Sequence, residues 1–454
     1  MSHLDRANEL PDQWETKPLR STADYVVSNV DKVPAENEIP VRLCNYTDVY
    51  NNEFITLALD FMQATASDDE MAKFGLLVDD VVITKDSESW DDIGVPALVR
   101  ETASDLVCGY HLALLRPRKQ RMDGAFLFRC LQAKPVRVQL ELAPNGVTRF
   151  GIPKSEIGAM RLPVPSLPQQ RSIASYLDRE TARLDRLVAA KERVLGLLAE
   201  KRWALITCAV TRGLDSRVPL RDSGIAWLGE IPARWHIWML AHLALVGNGS
   251  TPNRDNTDYW AGGTVPWLNS AVVNQEEATS ADQFVTSAAL RECHLPSVRR
   301  GSVLVGITGQ GKTRGQAVVL SFEATINQHL AFITPQVIRL DAWFLRWALL
   351  AAYGFLRSIS DDAEGTKGAL TCEDISGLRV PVPTIDEQRS IVRYIATESA
   401  KIDALRTATE RTIDLLNERR AALIAAAVTG QIDVSTGRYY TDAAAGQREP
   451  ERRQ

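Results

Sequence analysis

One run of residues has the types and spacing of a nucleotide site: Gly306-Ile307-Thr308-Gly309-Gln310-Gly311-Lys312-Thr313 matches the phosphate-binding-loop pattern. Such a loop would cradle phosphates with backbone N–H groups, place Lys312 on the terminal phosphates and let Thr313 ligate magnesium. That chemistry needs a helix to open at the Lys-Thr pair. The residues that follow, Arg314-Gly315-Gln316-Ala317-Val318-Val319-Leu320, read instead as a second strand, so a hairpin is expected. The stretch most like an acidic magnesium-binding strand, Leu76-Leu77-Val78-Asp79, lies before the loop and in the other half of the chain. The nucleotide reading stays testable, because ATP binding abolished by Lys312→Ala would support it.

Other reactive groups are sparse. His111 and His329 lie in apolar strings with no serine, cysteine or carboxylate at a readable spacing, and are expected to be satisfied core or half-buried side chains. Pro11-Asp12 with Glu15 and Lys17 has the residue types of a nuclease site but is compressed into too short a stretch. Six cysteines (Cys44, Cys108, Cys130, Cys208, Cys293, Cys372) are scattered without a C-x-x-C pair, and no H-E-x-x-H occurs, so neither disulfides nor a metal site is expected. The start, MSHLDRANELPDQWETK, is polar, and no apolar run approaches the ~18 residues of a spanning helix, which leads to the expectation of a cytoplasmic protein without membrane contact.

A net charge of -5 gives no global pull toward nucleic acid, but charge is uneven along the chain. Acids outnumber bases 18 to 6 over residues 20–105, whereas Arg116, Arg118, Lys119, Arg121, Arg129, Lys134 and Arg137 face one acid, Asp123. The first four are candidate phosphate contacts. In the second half the basic candidates are Arg254, Arg299, Arg300, Lys312, Arg314 and Lys367.

The elements that would position these groups come from a tandem duplication. The segment beginning Pro163, PVPSLPQQRSIASYL, aligns without gaps on that beginning Pro381, PVPTIDEQRSIVRYI, at an offset of 218 (381 minus 163). Upstream, His111-Leu112-Ala113 matches His329-Leu330-Ala331 at the same offset, and Trp14 pairs with Trp235 at 221. Each half is one variable domain followed by one well-matched segment. The loop equivalent to the phosphate-loop mimic is then Lys85-Asp86-Ser87-Glu88-Ser89-Trp90, which has no phosphate-loop character. Two short, turn-rich, polar loops of unrelated sequence at one position suit recognition of base edges, with Lys85, Asp86, Ser87 and Trp90 as candidates in the first domain.

The matched segments are expected to be long helices. Between Gln169 and Thr211 there is no proline and Gly196 is the sole glycine; Leu184, Leu187, Leu195, Leu198 and Leu205 form a one-sided stripe that Ile402, Leu405, Ile413, Leu416 and Leu423 repeat. A helix of ~43 residues is ~65 Å long, more than one small domain can cover. Its natural partner is the other copy, and a pseudo-twofold between the halves would make the pair an antiparallel coiled coil. The variable domains mix short β-rich runs with one helix each, capped by Asp123 or Asp341. The expected class is α+β, divided as 1–160 (first domain), 161–213 (first helix), 214–379 (linker and second domain), 380–430 (second helix) and 431–454 (a polar, flexible tail).

Two variable domains alternating with repeated helices, each helix introduced by P-V-P-x-x-x-x-Q-R-x-I-x-x-Y, resemble the specificity subunit of Type I restriction-modification systems. The resemblance also rests on the run from Asp222-Ser223-Gly224 to Pro232 with Trp235, and on Gly249-Ser250-Thr251-Pro252, Tyr259-Trp260-Ala261-Gly262-Gly263, Pro266-Trp267 and Ile326-Asn327-Gln328. The first domain departs from it, having no G-S-T-P or Y-W-x-G-G string. The resemblance implies a non-catalytic reader of double-stranded DNA whose two target-recognition domains each take half of a bipartite, asymmetric site, with the helices as a ruler for the unread gap. It places Ser250, Thr251, Asn253 and Arg254 among the DNA contacts. It also implies two docked methyltransferase subunits, touching Gln170, Arg171, Tyr176, Gln388, Arg389 and Tyr394, and separate restriction subunits. S-adenosylmethionine, ATP and magnesium would belong to those partners; no Asn-Pro-Pro-Tyr or Asn-Pro-Pro-Phe motif occurs in this chain.

Overall fold

The computed structural model describes residues 10–11, 13–89, 92–144, 150–309, 311–361 and 368–440. It divides into two compact units, Met1–Glu192 with Arg411–Gln454, and Arg193–Glu410. Each unit is one variable domain together with parts of both long helices, which span Leu167–Arg212 and Ile385–Val428.

In the first unit a five-stranded sheet runs in the order Ala23–Val27, Leu112–Pro117, Val81–Thr84, Pro96–Val99, Phe54–Ile55; the last pairing is parallel and the others antiparallel. The second unit repeats that order and sense with Ala244–Asn248, Leu330–Pro335, Val303–Gly306, Ala317–Leu320 and Glu277–Ala278. A three-stranded sheet is duplicated too. Ile39–Cys44 lies between antiparallel Met62–Ala66 and parallel Leu106–Cys108, as Val265–Leu268 lies between Gln283–Val285 and Thr325–Ile326.

These central strands are apolar at nearly every position because both faces are covered. Val81 and Ile83 join the core around Phe126 and Leu127, while Val82 joins that of the small sheet with Val41 and Leu43. In the second unit Val303 and Val305 pack with Phe344 and Leu345, and Leu304 and Val318 with Leu268 and Ile326. The period of two along one strand thus feeds two separate cores.

The domain helices begin at the expected caps. Asp123 accepts from the Phe126 amide at 3.1 Å, and Asp341 from those of Trp343 and Phe344 at 2.9 and 3.1 Å. Gln170 and Gln388, expected to touch a partner, are instead fully buried inside their own units. Gln170 Oε1 accepts from the Asp123 amide at 2.9 Å while its Nε2 donates to the carbonyls of Arg121 and Pro165 at 3.0 and 2.9 Å. Gln388 makes the same three bonds with Asp341, Arg339 and Pro383 at 2.8, 2.8 and 2.9 Å. Each glutamine fastens the start of a long helix to the cap of a domain helix. Replacing either by alanine strands one buried N–H and two carbonyls, so each change is expected to lower stability by about 2–4 kcal/mol in urea unfolding. A loss below about 0.5 kcal/mol, the ordinary surface range, would contradict that role.

Within each unit the helix segments run antiparallel. Ile173, Ala174 and Leu177 share the first core with Ile424, Ala427 and Val428, and Arg420 Nε donates to Asp185 at 2.9 Å. In the second unit Ile206, Ala209 and Val210 share a core with Ile391 and Ile395. The covered positions of the first helix recur as Thr181, Leu184, Val188, Lys191, Leu195, Leu198, Arg202, Leu205 and Ala209, a heptad seam. Leu187 and its repeat mate Leu405 fall off the seam and are exposed, unlike the rest of the expected stripe. Gly213 and Gly430, with φ of 73° and 72°, end the helices in the left-handed conformation. After Gly430 the chain makes a small hairpin, Ile432–Asp433 with Arg438–Tyr439, where a flexible tail was expected; residues 441–454 lie outside the described residues.

Candidate nucleic-acid interface

The second unit gathers four separated strings at one place. Gly249 lies so close to the small sheet that a Cβ would stand 1.9 Å from the Ile326 carbonyl oxygen, and this approach lets the Ser250 amide donate to that oxygen at 3.1 Å. The loop beyond is pinned by two indoles. Trp267 Nε1 donates to the Ser250 carbonyl at 3.2 Å and Trp260 Nε1 to the Asn253 carbonyl at 3.0 Å, with the rings edge to face at 5.3 Å. Gln328 bonds Thr251 and approaches His329 Nε2 at 3.3 Å, while His329 Nδ1 meets Thr308 Oγ1 at 2.8 Å. Ser250, Thr251, Asn253, Arg254, Gln328 and His329 therefore belong to one accessible polar surface with an aromatic floor.

The phosphate-loop mimic is a hairpin, as expected from the residues after it: Val303–Gly306 pairs antiparallel with Ala317–Leu320, and no helix opens at Lys312. Its carbonyls face inward, Gly311 accepting from Arg357 at 2.8 Å and Lys312 from the Tyr353 hydroxyl at 3.2 Å. Lys312 itself is exposed. Arg314 is not: its side chain is 2% exposed and paired with Asp361, so the expected base contact is corrected to a structural ion pair.

In the first unit the equivalent loop builds a charged cluster. Lys85 donates to Asp86 Oδ1 at 2.8 Å, and Asp86 Oδ2 meets His111 Nδ1 at 2.7 Å. Burial pushes the Asp86 carboxyl up, but hydrogen bonds from Lys85 and His111 outweigh it and hold the group below its ordinary value. The histidine thus has the carboxylate partner that the sequence did not reveal. Backbone bonds fix the equivalence: Lys85 N to His111 O at 2.8 Å corresponds to Ile307 N to His329 O at 3.0 Å. Asp86 stands where Thr308 stands, and half-exposed Tyr110, its ring 3.9 Å from that of His111, stands where Gln328 stands. Ser87 is buried by pairing with Phe150. Trp90 and Lys367 lie outside the described residues.

The basic run does not join this cluster. His111 precedes the strand Leu112–Pro117 and Arg116 is its next-to-last residue, so the two groups are separated by most of a strand, ~17 Å at full extension. Arg116 is committed to the buried Asp80 by bonds of 2.9 and 2.7 Å and to the Gly75 carbonyl at 2.7 Å, which corrects its reading as a DNA contact. Arg118 pairs with Asp24 at 2.7 Å and Arg121 donates to the Ser21 carbonyl at 3.1 Å, both near the surface. Lys119 lines a 200 Å³ cleft with Arg116, Asp80 and Arg171. Arg171 and Arg389 are exposed, Tyr394 is 42% exposed, and Tyr176 is half-buried with Arg179 over its ring.

Residues 232–413 match the family model described as Type I restriction modification DNA specificity domain. Nearly the whole chain is similar to a putative Type I restriction enzyme MjaX specificity subunit from Methanocaldococcus jannaschii, 20% identical over 94% of this chain and 96% of that one. It is likewise similar to the StySPI specificity subunit of Salmonella potsdam, 21% identical over 93% and 90%. Over nearly its whole length the chain is similar to Type I specificity subunits, and the family-model match falls in its second half. Its fold is shared with a chain from a solved structure on complex assembly and conformational transition of the type I R-M system, with a TM-score of 0.70 at 16% identity over 93% of this chain and 99% of that one. All four strings gathered in the second unit lie within the specificity-domain match. Among the described residues no group could hold a metal ion, and no helix is long and apolar enough to cross a membrane. All six cysteines are free thiols.

Proposed function

We propose that this chain is the non-catalytic, sequence-reading subunit of a cytoplasmic Type I restriction-modification complex, recognising a bipartite, asymmetric site in double-stranded DNA. The observation that carries this reading is one scaffold built twice with unlike side chains at the same place: Lys85, Asp86 and Tyr110 in the first unit, Ile307, Thr308 and Gln328 in the second. Two readers of shared geometry and different chemistry suit two half-sites of different sequence. Each long helix contributes to both units, which supports a role as the ruler of the unread gap. Arg171, Arg389, Tyr176 and Tyr394 are the side chains left to meet two methyltransferase subunits. Those partners would supply S-adenosylmethionine and extrude the target adenine, and restriction subunits would add ATP-driven, magnesium-dependent cleavage.

An acidic chain in which arginines such as Arg116, Arg129, Arg314 and Arg420 are spent on internal carboxylates has less charge left to neutralise phosphates. The isolated chain is therefore expected to bind its target weakly, and addition of the methyltransferase partner to raise affinity by about 100-fold or more at matched salt. Equal affinity with and without the partner in a fluorescence-anisotropy titration would refute this division of labour.

A further inference from the structure

We propose that Arg254 reads a guanine in the half-site taken by the second unit; the inference rests on the sequence-reading role above and names the base and the side chain. Its guanidinium lies 4.1 Å from the centroid of the Trp260 ring and 4.8 Å from that of Trp267. Nη1 donates to Gln283 Oε1 at 2.9 Å. Both indole N–H groups are spent on the carbonyls of the same loop, so the two rings are fixed before the arginine is added.

The contrast with the arginines held in internal ion pairs shows what is particular to this one. Arg116, Arg129, Arg202, Arg314 and Arg420 each face a carboxylate. Among the described residues no ion pair engages Arg254, which is held by aromatic faces and one neutral amide and is exposed. Its position is fixed while its charge is left uncompensated.

A contact to phosphate asks only for positive charge within reach, and a mobile lysine serves. Contact with two indoles set edge to face holds the guanidinium in place, which matters when two parallel N–H groups must meet two acceptors at once. In the major groove guanine offers that pair, O6 and N7; adenine places a donor beside N7, and thymine offers a single oxygen. The first unit has no counterpart. Residues 28–38, the corresponding and shorter loop between the strands Ala23–Val27 and Ile39–Cys44, contain neither arginine nor tryptophan.

The test uses the full complex with a matching methyltransferase subunit and maps N6-methyladenine motifs for the wild type, Arg254→Lys and Arg254→Gln. The expected result is a guanine in one half-site whose discrimination falls about 10- to 100-fold in both variants, with the other half-site and the gap unchanged. Arg254→Lys keeps the charge, so a phosphate contact would leave the motif intact in that variant and overturn the proposal. So would a wild-type motif with no G·C pair in the affected half-site. If Arg254→Gln abolishes methylation, Arg254→Lys and a thermal melt of both variants decide between lost reading and lost folding, and an even loss over all positions counts against the proposal. A wild type that directs no motif would fail the sequence-reading role itself, a result distinct from any of these.

Discussion

Removing one heptad from each long helix, residues 193–199 and 406–412, is expected to lower methylation of the original motif by about 100-fold or more. Any motif that replaces it should keep both half-sites and lose about three base pairs of gap. Seven residues rise ~10.5 Å, close to three base-pair steps of ~3.4 Å. A whole heptad keeps the seam in phase, whereas a four-residue deletion would rotate Leu184, Leu195 and Leu198 off it. Matching the cuts preserves pairs such as Arg420 with Asp185 on one side and the core of Ile206 with Ile395 on the other. The large effect follows from bivalency, since two weak readers that cannot engage together lose the gain of linkage. Methylation of the original motif at its original spacing after both deletions would mean that the helices do not set the gap.

The second large effect concerns how a domain is fastened to its helices. Arg129 is 1% exposed and donates to Asp178 at 2.8 Å, Gln132 at 2.7 Å and Thr181 at 3.1 Å, with Glu53 at 3.7 Å. Asp178 and Thr181 lie on the first long helix, and Glu53 also binds Arg420 on the second. At the equivalent positions, 218 residues on, the second unit has Trp347, Ala396 and Ser399, and Trp347 is 2% exposed. The first joint buries an arginine where the second buries an indole, and each keeps an ion pair from the other long helix beside it, Arg420 with Glu53 and Arg202 with Glu276. Arg129→Trp alone leaves buried acceptors and Asp178 partly uncompensated, and is expected to destabilise by about 3–5 kcal/mol in denaturant unfolding. Arg129→Trp with Asp178→Ala and Thr181→Ser, the second unit's own solution, should recover at least half of that loss, because removing both members of a buried pair is often nearly neutral. A triple variant no more stable than the single one would show that the two joints are not interchangeable.

How much of this was legible in the sequence depends on the range over which each feature is encoded. Helices show in local composition, and the hairpin after Lys312 shows in the residues immediately beyond it. The G-S-T-P, Y-W-A-G-G, P-W and I-N-Q strings could be singled out, but only strand pairing brings Ser250 to Ile326. The burial of Gln170 is not local, because its partners, Asp123 and Arg121, lie 47 and 49 residues away. The same holds for Arg116, whose neutralising Asp80 is 36 residues off, just before the neighbouring strand Val81–Thr84. The His111–Asp86 contact was hidden too, since the two residues are 25 apart and meet only when Val81–Thr84 pairs with Leu112–Pro117. The repeat was the available signal for it. A histidine recurring at the same offset beside a variable loop marks a position where each copy chooses its own partner, Asp86 in one and Thr308 in the other.

The most direct measurement is to co-express this chain with a matching methyltransferase subunit, beside a control lacking the chain, and map N6-methyladenine across the host DNA by single-molecule sequencing. A bipartite motif that appears only when the chain is present is the predicted result; methylation that is absent, or the same without the chain, would contradict its role as the reader of the site.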